Sequence, residues 1–360
     1  MWAPCISGSA KCRGAQLQVL RSNRRGAKVE GGQLNARAAG LKKIVKLVND
    51  ERNLCTRRAL LLQVCAGVVG ASLQAGGRMP PTSNRPSVER DSFRIRALDR
   101  KYDLHREKGC TLLAIEVANW PGNEFGLWLP ETVYLSEKVV WGNWWSNAHQ
   151  EFEENSRGVW TTKRAFNQFM VISKLTPDPA RSCMWYRHTF RNTGNETLRE
   201  LNSQTCFHLV NAPQFISLRG SRIWANLDGQ WMTTDKVERD QSPDPRRVAF
   251  FRRGVRSERT VIPWEGFAGA TMPEAAFHPL FIAENFQGNA SVGIAARNFE
   301  KLFNNNDPIL RCLHSESMPV RQLEPGQSAH QDSVVIFYNG DHRAILEHYT
   351  NHIEPNWPSS

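Results

Sequence analysis

The chain has 360 residues, with 46 Lys and Arg against 35 Asp and Glu, a formal net charge of +11. Fourteen of the basic and three of the acidic groups fall in residues 1–80, so the other 280 residues hold 32 of each sign and are formally neutral. An electrostatic claim on DNA or RNA therefore has no footing in the main body of the protein, and a nucleic-acid partner is not expected.

Residues 1–75 read as a basic leader. Within it Thr56-Arg57-Arg58 runs into an apolar stretch to Ala71 that is too short to span a bilayer comfortably, giving a signal-like segment over 57–71. The paired arginines resemble a twin-arginine export signal, and small residues from Ala71 to Ala75 offer cleavage positions. The expectation is an exported protein, periplasmic or extracellular, with no stable membrane span in the mature chain. A buried helix is the alternative for this run, and a wrongly assigned start or a disordered tail accounts for residues 1–50. Residues 76–91 have the Pro, Gly and Ser content of a linker.

From Ser92 to the end, the pattern predicts one β domain. Short runs rich in Val, Ile, Thr, Phe and Trp recur at 93–98, 111–117, 132–140, 166–175, 184–191, 198–210, 222–226, 231–234 and 334–338, separated by turn residues. Asn192–Glu196 reads as the turn of a hairpin between Met184 and Val210, Asp228-Gly229 as a tight reversal, and Leu323-Glu-Pro-Gly-Gln327 as a turn feeding a late strand. Apolar spacing at Ile345, Leu346, Tyr349 and Ile353 predicts a closing helix. The expected fold is all-β, a large antiparallel β-sandwich with a short C-terminal helix.

Alternation in the 184–210 segment divides its residues into two sets. Met184, Tyr186, His188 and Phe190, with Leu201, Ser203, Thr205, Phe207 and Leu209, read as core. Cys183, Trp185, Arg187, Asn202, Gln204, Cys206 and His208 form the other set, an aromatic beside hydrogen-bonding and ionisable groups. On that face His208 is a candidate general acid or base, Arg187 a holder of a carboxylate, and Gln204 and Trp185 further ligand contacts. As a hairpin, the segment places Cys183 opposite Cys206 as unbridged thiols. His314 and Glu316, two residues apart, are a second candidate acid/base pair. A third polar region comprises Trp264-Glu265-Gly266, His278 and Glu284. Four cysteines beyond residue 80, none in a Cys-x-x-Cys spacing, and the lack of His-x-His or His-Glu-x-x-His lead us to expect no metal and no cofactor.

Eleven of the twelve tryptophans lie beyond residue 80, three of them in Trp141-Gly-Asn-Trp144-Trp145. Indole faces stack on pyranose rings, so Trp144 joins Trp185 as a candidate sugar contact while most of the others pack in the core. The segments 185–198, 205–213 and Leu323-Glu-Pro-Gly-Gln-Ser328 loosely resemble those of galactose-mutarotase-like β-sandwich proteins, and more closely a set of uncharacterised exported bacterial proteins, over residues 92–340. The resemblance implies a concave sheet on which a histidine and a glutamate transfer protons at an anomeric or α-carbon, with His208, His314 and Glu316 as the residues to test. The leading expectation is an exported carbohydrate-active protein with epimerase, lyase or hydrolase chemistry. A non-catalytic envelope protein binding glycans or another protein is the second reading, and a cytoplasmic protein with an unusual N-terminus the third.

Overall fold

A computed structural model describes residues 93–100, 110–136, 138–142, 150–217, 220–236, 247–255, 270–271, 275–305 and 311–358. The leader, its signal-like run at 57–71, the linker, Trp144, Trp145 and Trp264–Gly266 lie outside these residues.

Nineteen strands occupy most of the described chain. The first nine are β1 (Phe93–Arg100), β2 (Cys110–Val117), β3 (Glu124–Leu135), β4 (Lys138–Gly142), β5 (Glu153–Glu154), β6 (Trp160–Ala165), β7 (Phe169–Asp178), β8 (Cys183–Asn192) and β9 (Leu198–Asn211). There follow β10 (Ile223–Leu227), β11 (Gln230–Thr233), β12 (Arg247–Phe251), β13 (Ala270–Thr271), β14 (Phe281–Glu284) and β15 (Ser291–Ala296). The series ends with β16 (Phe299–Asn305), β17 (Cys312–Ser317), β18 (Val320–Leu323) and β19 (Ser328–Tyr338), and then the helix α1 (His342–His348).

Two sheets form the all-β sandwich. One has ten strands in the order β1-β2-β3-β9-β17-β16-β12-β13, with β4 beside β3 and β18 beside β9; the other has nine, ordered β11-β10-β14-β15-β19-β8-β7-β6-β5. Every pairing is antiparallel except the short one between β12 and β13. Between the sheets, Leu113, Ile115, Phe125, Leu127 and Phe207 from the first meet Met184, Tyr186, Ile294, Val335 and Phe337 from the second. Phe125 stacks on Phe207 with ring centroids 5.6 Å apart. Strands in this position alternate: along β7, Phe169, Val171, Ser173 and Leu175 are buried, as a period of two demands when one face is packed. β3, central in its sheet, is buried from Phe125 to Tyr134 on both faces.

The turn signals are legible in the backbone. Asp228 and Gly229 take φ of 49° and 84°, so both central residues of the β10–β11 reversal are left-handed, as a two-residue hairpin favours. Gly326, at φ 78°, turns the chain into β19. The closing helix is capped by Asp341, whose carboxylate accepts from the backbone N–H of Arg343 and Ala344, and it continues as a π-helical turn over Tyr349–Ile353. Ile345, Tyr349 and Ile353 pack with Cys183, Trp185, Ile282 and Val334 on the outer face of the nine-stranded sheet. No helix among the described residues is long and apolar enough to cross a membrane.

The expected 184–210 hairpin is corrected. β8 pairs with β7 and β19, whereas β9 pairs with β3, β17 and β18, so Asn192–Glu196 carries the chain from one sheet to the other. Asn192 explains the corner: its side-chain amide donates to the carbonyls of Glu196 and Leu323 while its Oδ1 accepts from Gly194 N–H. The residues assigned to the core nevertheless do face one another, across the sandwich instead of side by side. His188 Nε2 lies 2.7 Å from Thr205 Oγ1, and its Nδ1 lies 2.7 Å from Ser173 Oγ. Cys183 is consequently not opposite Cys206; the two stand on different sheets. The run 132–140, expected as one strand, is two, reversed at Ser136 with φ 49°.

Candidate functional site

The outer face of the ten-stranded sheet gathers chemistry from four adjacent strands. β9 contributes Gln204, Cys206 and His208, which alternate with the core residues Thr205, Phe207 and Leu209. β17 contributes Cys312, His314 and Glu316, with Cys312 opposite His208. β16 places Phe303 opposite His314 and Lys301 opposite Glu316. The two polar clusters that are 104 residues apart in the sequence are thus one cluster in space.

β3 supplies a residue that sequence alternation missed. Trp128 pairs with Cys206 and Thr132 with Gln204, so three residues of β3 stand where β9 has only Thr205. Pro130 lies in this bulge and has no N–H to give the ladder. The irregularity brings Glu131 onto the outer face, where its Oε2 accepts from Gln204 Nε2 at 2.7 Å and lies 3.7 Å from His314 Nδ1. Tyr134 Oη donates to Gln204 Oε1 at 2.9 Å, fixing the amide from its other end. Leu129-Pro130-Glu131 inside a β pattern was the available signal, since a proline in a central strand marks a bulge.

The electrostatics follow from burial. Glu131, Gln204, Cys206, His208, Cys312, His314 and Glu316 are all buried, none more than 5 % exposed. Desolvation pushes the Glu131 carboxyl up to about 8, helped by the nearby Glu316 charge and opposed by the Gln204 hydrogen bond and Lys301. Burial also raises Glu316, against Lys301, whose Nζ stands 2.9 Å from its Oε2. Glu316 Oε1 has no hydrogen-bond partner among the described residues. His314 is held well below the usual imidazole range, first by burial and then by His208 and Lys301. Trp128 packs edge-on to His208, with ring centroids 4.2 Å apart. Gly126, opposite His208, makes room for it: a Cβ there would sit 3.2 Å from His208 Cβ.

Sulfur is part of the same face. Cys206 Sγ is 3.3 Å from His208 Nε2, and Cys312 Sγ is 3.1 Å from His314 Nε2. The ligating atoms of Cys206, Cys312 and His314 all lie within 4.8 Å of one another.

The remaining sequence candidates do not join this cluster. Trp185 and Arg187 are on β8, in the other sheet. Trp185 is buried beneath Trp357, with ring centroids 5.2 Å apart, and its Nε1 donates to Asp178. Arg187 makes a two-pronged ion pair with Asp332 at 2.5 and 3.0 Å. Both are therefore engaged in structural contacts and stand apart from His208, because the strand carrying them left the sheet at Asn192. Trp144 lies outside the described residues. Of the third region, Glu284 pairs with His342 Nδ1 at 3.1 Å, and that imidazole stacks on Trp224, centroids 3.5 Å apart.

No protein-family model matches the chain, and no curated protein matches it. Among solved structures it is similar to the Slr1438 protein of Synechocystis sp. PCC 6803, at 12% identity over 71% of this chain and 100% of that one, with a TM-score of 0.39. A galactose mutarotase related enzyme from Lactobacillus acidophilus is 9% identical over 69% of this chain and 99% of its own, TM-score 0.36. A protein described as an aldose 1-epimerase from Klebsiella pneumoniae is 11% identical over 72% and 86%, TM-score 0.37. The last two carry descriptions of the galactose mutarotase and aldose epimerase kind.

Proposed function

We propose that the chain is an exported carbohydrate-active protein that takes a sugar against the outer face of the ten-stranded sheet and moves a proton between Glu131 and Glu316. The observation that carries this reading is the row Glu131–Gln204–Glu316–Lys301, which sets two carboxyl groups in unlike surroundings on one face. Lys301 balances charge on Glu316 at 2.9 Å, whereas no lysine or arginine pairs with Glu131 among the described residues. Glu316 Oε1 is an acceptor left for a hydroxyl. On an aldose, Glu316 takes the proton of the anomeric hydroxyl as Glu131 delivers one to the ring oxygen. The bond from C1 to the ring oxygen breaks, and the anomeric oxygen becomes the aldehyde oxygen. Reversal of these steps on the other face of C1 gives the second anomer and restores both carboxyl groups.

The second reading, glycan binding without chemistry, is favoured by one feature: Glu131 already accepts from Gln204, which occupies the carboxyl that the proton transfer needs. Anomer interconversion followed by NMR over a panel of aldohexoses, together with a glycan-binding screen, tests both. The expected result is accelerated exchange that falls about 10²- to 10⁴-fold in Glu316→Gln and in Glu131→Gln. Binding without exchange favours the second reading, and neither binding nor exchange overturns both. Export rests on the sequence, and sequencing the N-terminus of the native protein tests it. A start near 71–75 supports it, and an intact 57–71 segment overturns it.

A further inference from the structure

We propose that Cys206, His208, Cys312 and His314 form a zinc site that ties β9 to β17. The chain carries Cys-x-His twice, as Cys206-Phe-His208 and Cys312-Leu-His314, on hydrogen-bonded antiparallel neighbours. Residues two apart on a strand project from the same face, so each pair presents a thiol and an imidazole together, while Phe207 and Leu313 between them face the inter-sheet core. The register sets Cys312 across from His208, which brings both pairs to one place.

The spacing suits a tetrahedral ion. Zinc bonds of about 2.3 Å to sulfur and 2.0–2.1 Å to nitrogen put ligand atoms about 3.3–3.8 Å apart. The two observed sulfur–nitrogen distances are 3.3 and 3.1 Å, and Cys206, Cys312 and His314 offer one ligand atom each, all within 4.8 Å of one another. His208 Nε2 stands 3.3 Å from Cys206 Sγ but outside that three-atom group, so it gives the fourth bond once its ring turns toward the ion. Neither cysteine is in a disulfide.

Charge points the same way. The site sits against Leu112, Ala114 and Trp128, and a charge buried in such surroundings must be neutralised locally. Two thiolates and two neutral imidazoles around Zn²⁺ sum to zero. Each thiol gives its proton to solvent as the sulfur–zinc bond forms, so two protons leave per ion bound and nothing is oxidised. The surroundings of His314 are also those of a ligand: with Nε2 on the sulfur side, its Nδ1 faces Glu131 Oε2 at 3.7 Å and Gln204 at 3.2 Å. A zinc-bound imidazole donates its far N–H to a carboxylate, and Glu131 is the acceptor on that side; Gln204 Nε2 is itself a donor and does not take that proton. Thiolate with imidazole selects zinc over the oxygen-seeking Mg²⁺ and Ca²⁺. Each strand brings only two of the four ligands, and His208 and Cys312 are 104 residues apart, so neither Cys-x-His pair marks a zinc site by itself. The assignment shares Glu131 with the sugar reading but does not rest on it, and it makes the two imidazoles ligands.

The test uses the full chain, reduced and stripped of metal, titrated with Co²⁺ and then Zn²⁺. The expected result is about one ion per chain, with the intense visible bands of tetrahedral cobalt and a thiolate charge-transfer band, both bleached by zinc. Cys206→Ser/Cys312→Ser should lose these bands, whereas Cys183→Ser, at a buried cysteine of the other sheet, should keep them. Bands that persist in the double variant, or their absence from the wild type, overturn the proposal. Should the double variant fail to fold, zinc-edge X-ray absorption on the wild type decides. Two sulfur and two nitrogen neighbours uphold the site, and an all-oxygen or four-sulfur shell overturns it. Because the readout is the ion itself, a chain that binds zinc and ignores sugars upholds this site while sinking the sugar reading.

Discussion

Lys301→Met is expected to lower the free energy of unfolding by about 3–5 kcal/mol, the usual cost of stranding one member of a buried ion pair. The Lys301 side chain is 17% exposed and the Glu316 side chain 3%, with 2.9 Å between Nζ and Oε2. Methionine keeps most of the stem volume and removes the charge, so packing is nearly held constant while Glu316 loses its cation. Against a typical total of about 5–15 kcal/mol, the loss is large enough to leave a substantial fraction unfolded at moderate temperature. The companion variant Lys301→Met/Glu316→Gln should recover most of the loss, since removing both charges removes the desolvation problem as well. Urea unfolding of the wild type, both single variants and the double variant gives the coupling energy. A single-variant loss below about 1 kcal/mol, the range of exposed pairs, would show that solvent and not Lys301 stabilises Glu316.

His188 should make the sandwich acid-sensitive. It is buried between the sheets, bridging Ser173 and Thr205, and burial pushes its pKa down from 6.5 to about 3. The unfolded chain therefore binds one more proton than the folded chain through the interval between those values, and stability must fall as pH falls through it. The full contribution is present above the unfolded value of 6.5, declines at about 1.4 kcal/mol per pH unit, and is exhausted near the folded value. By pH 4 the loss from this one ring is roughly 3 kcal/mol. In His188→Gln, a neutral amide can still meet a hydroxyl but takes up no proton, so its stability at pH 4 relative to pH 7 should exceed that of the wild type by about that amount. Urea midpoints at the two pH values measure the difference. Equal acid losses in both proteins would assign the sensitivity to other imidazoles that burial holds down, among them His314 and His278, the latter near 4.

Much of the architecture was legible in the residues. Turn chemistry located the Asp228-Gly229 reversal, the entry to β19 and the closing helix, because a left-handed backbone and a helix face each leave local marks. Alternation named the inward residues of β8 and β9 correctly. It says which way a side chain points and nothing about which strand lies alongside, so the same inward pattern served a sheet-to-sheet corner as well as it would have served a hairpin. That limit moved Trp185 and Arg187 away from the candidate site. His208, His314, Glu316 and Gln204 were found by their chemistry, and the pairing of β9 with β17 joined them. Glu131 escaped because the bulge at Pro130 broke the period that would have marked it, and Lys301 because its role exists only through its register with Glu316.

The position of β19 has a consequence for how the protein is made. It lies at the middle of the nine-stranded sheet, between β15 and β8, so no direct pairing joins the strands on its two sides. On a ribosome, β5 to β8, and then β10, β11, β14 and β15, emerge before it, as two half-sheets with unsatisfied edges and a bare apolar outer surface at Trp185 and Ile282. Neither the missing strand nor the helical cover over that surface is available until residues 328–353 have been synthesised. Until then the exposed strand edges and apolar surface are those that invite mispairing, and the nine-stranded sheet closes only with its last strand.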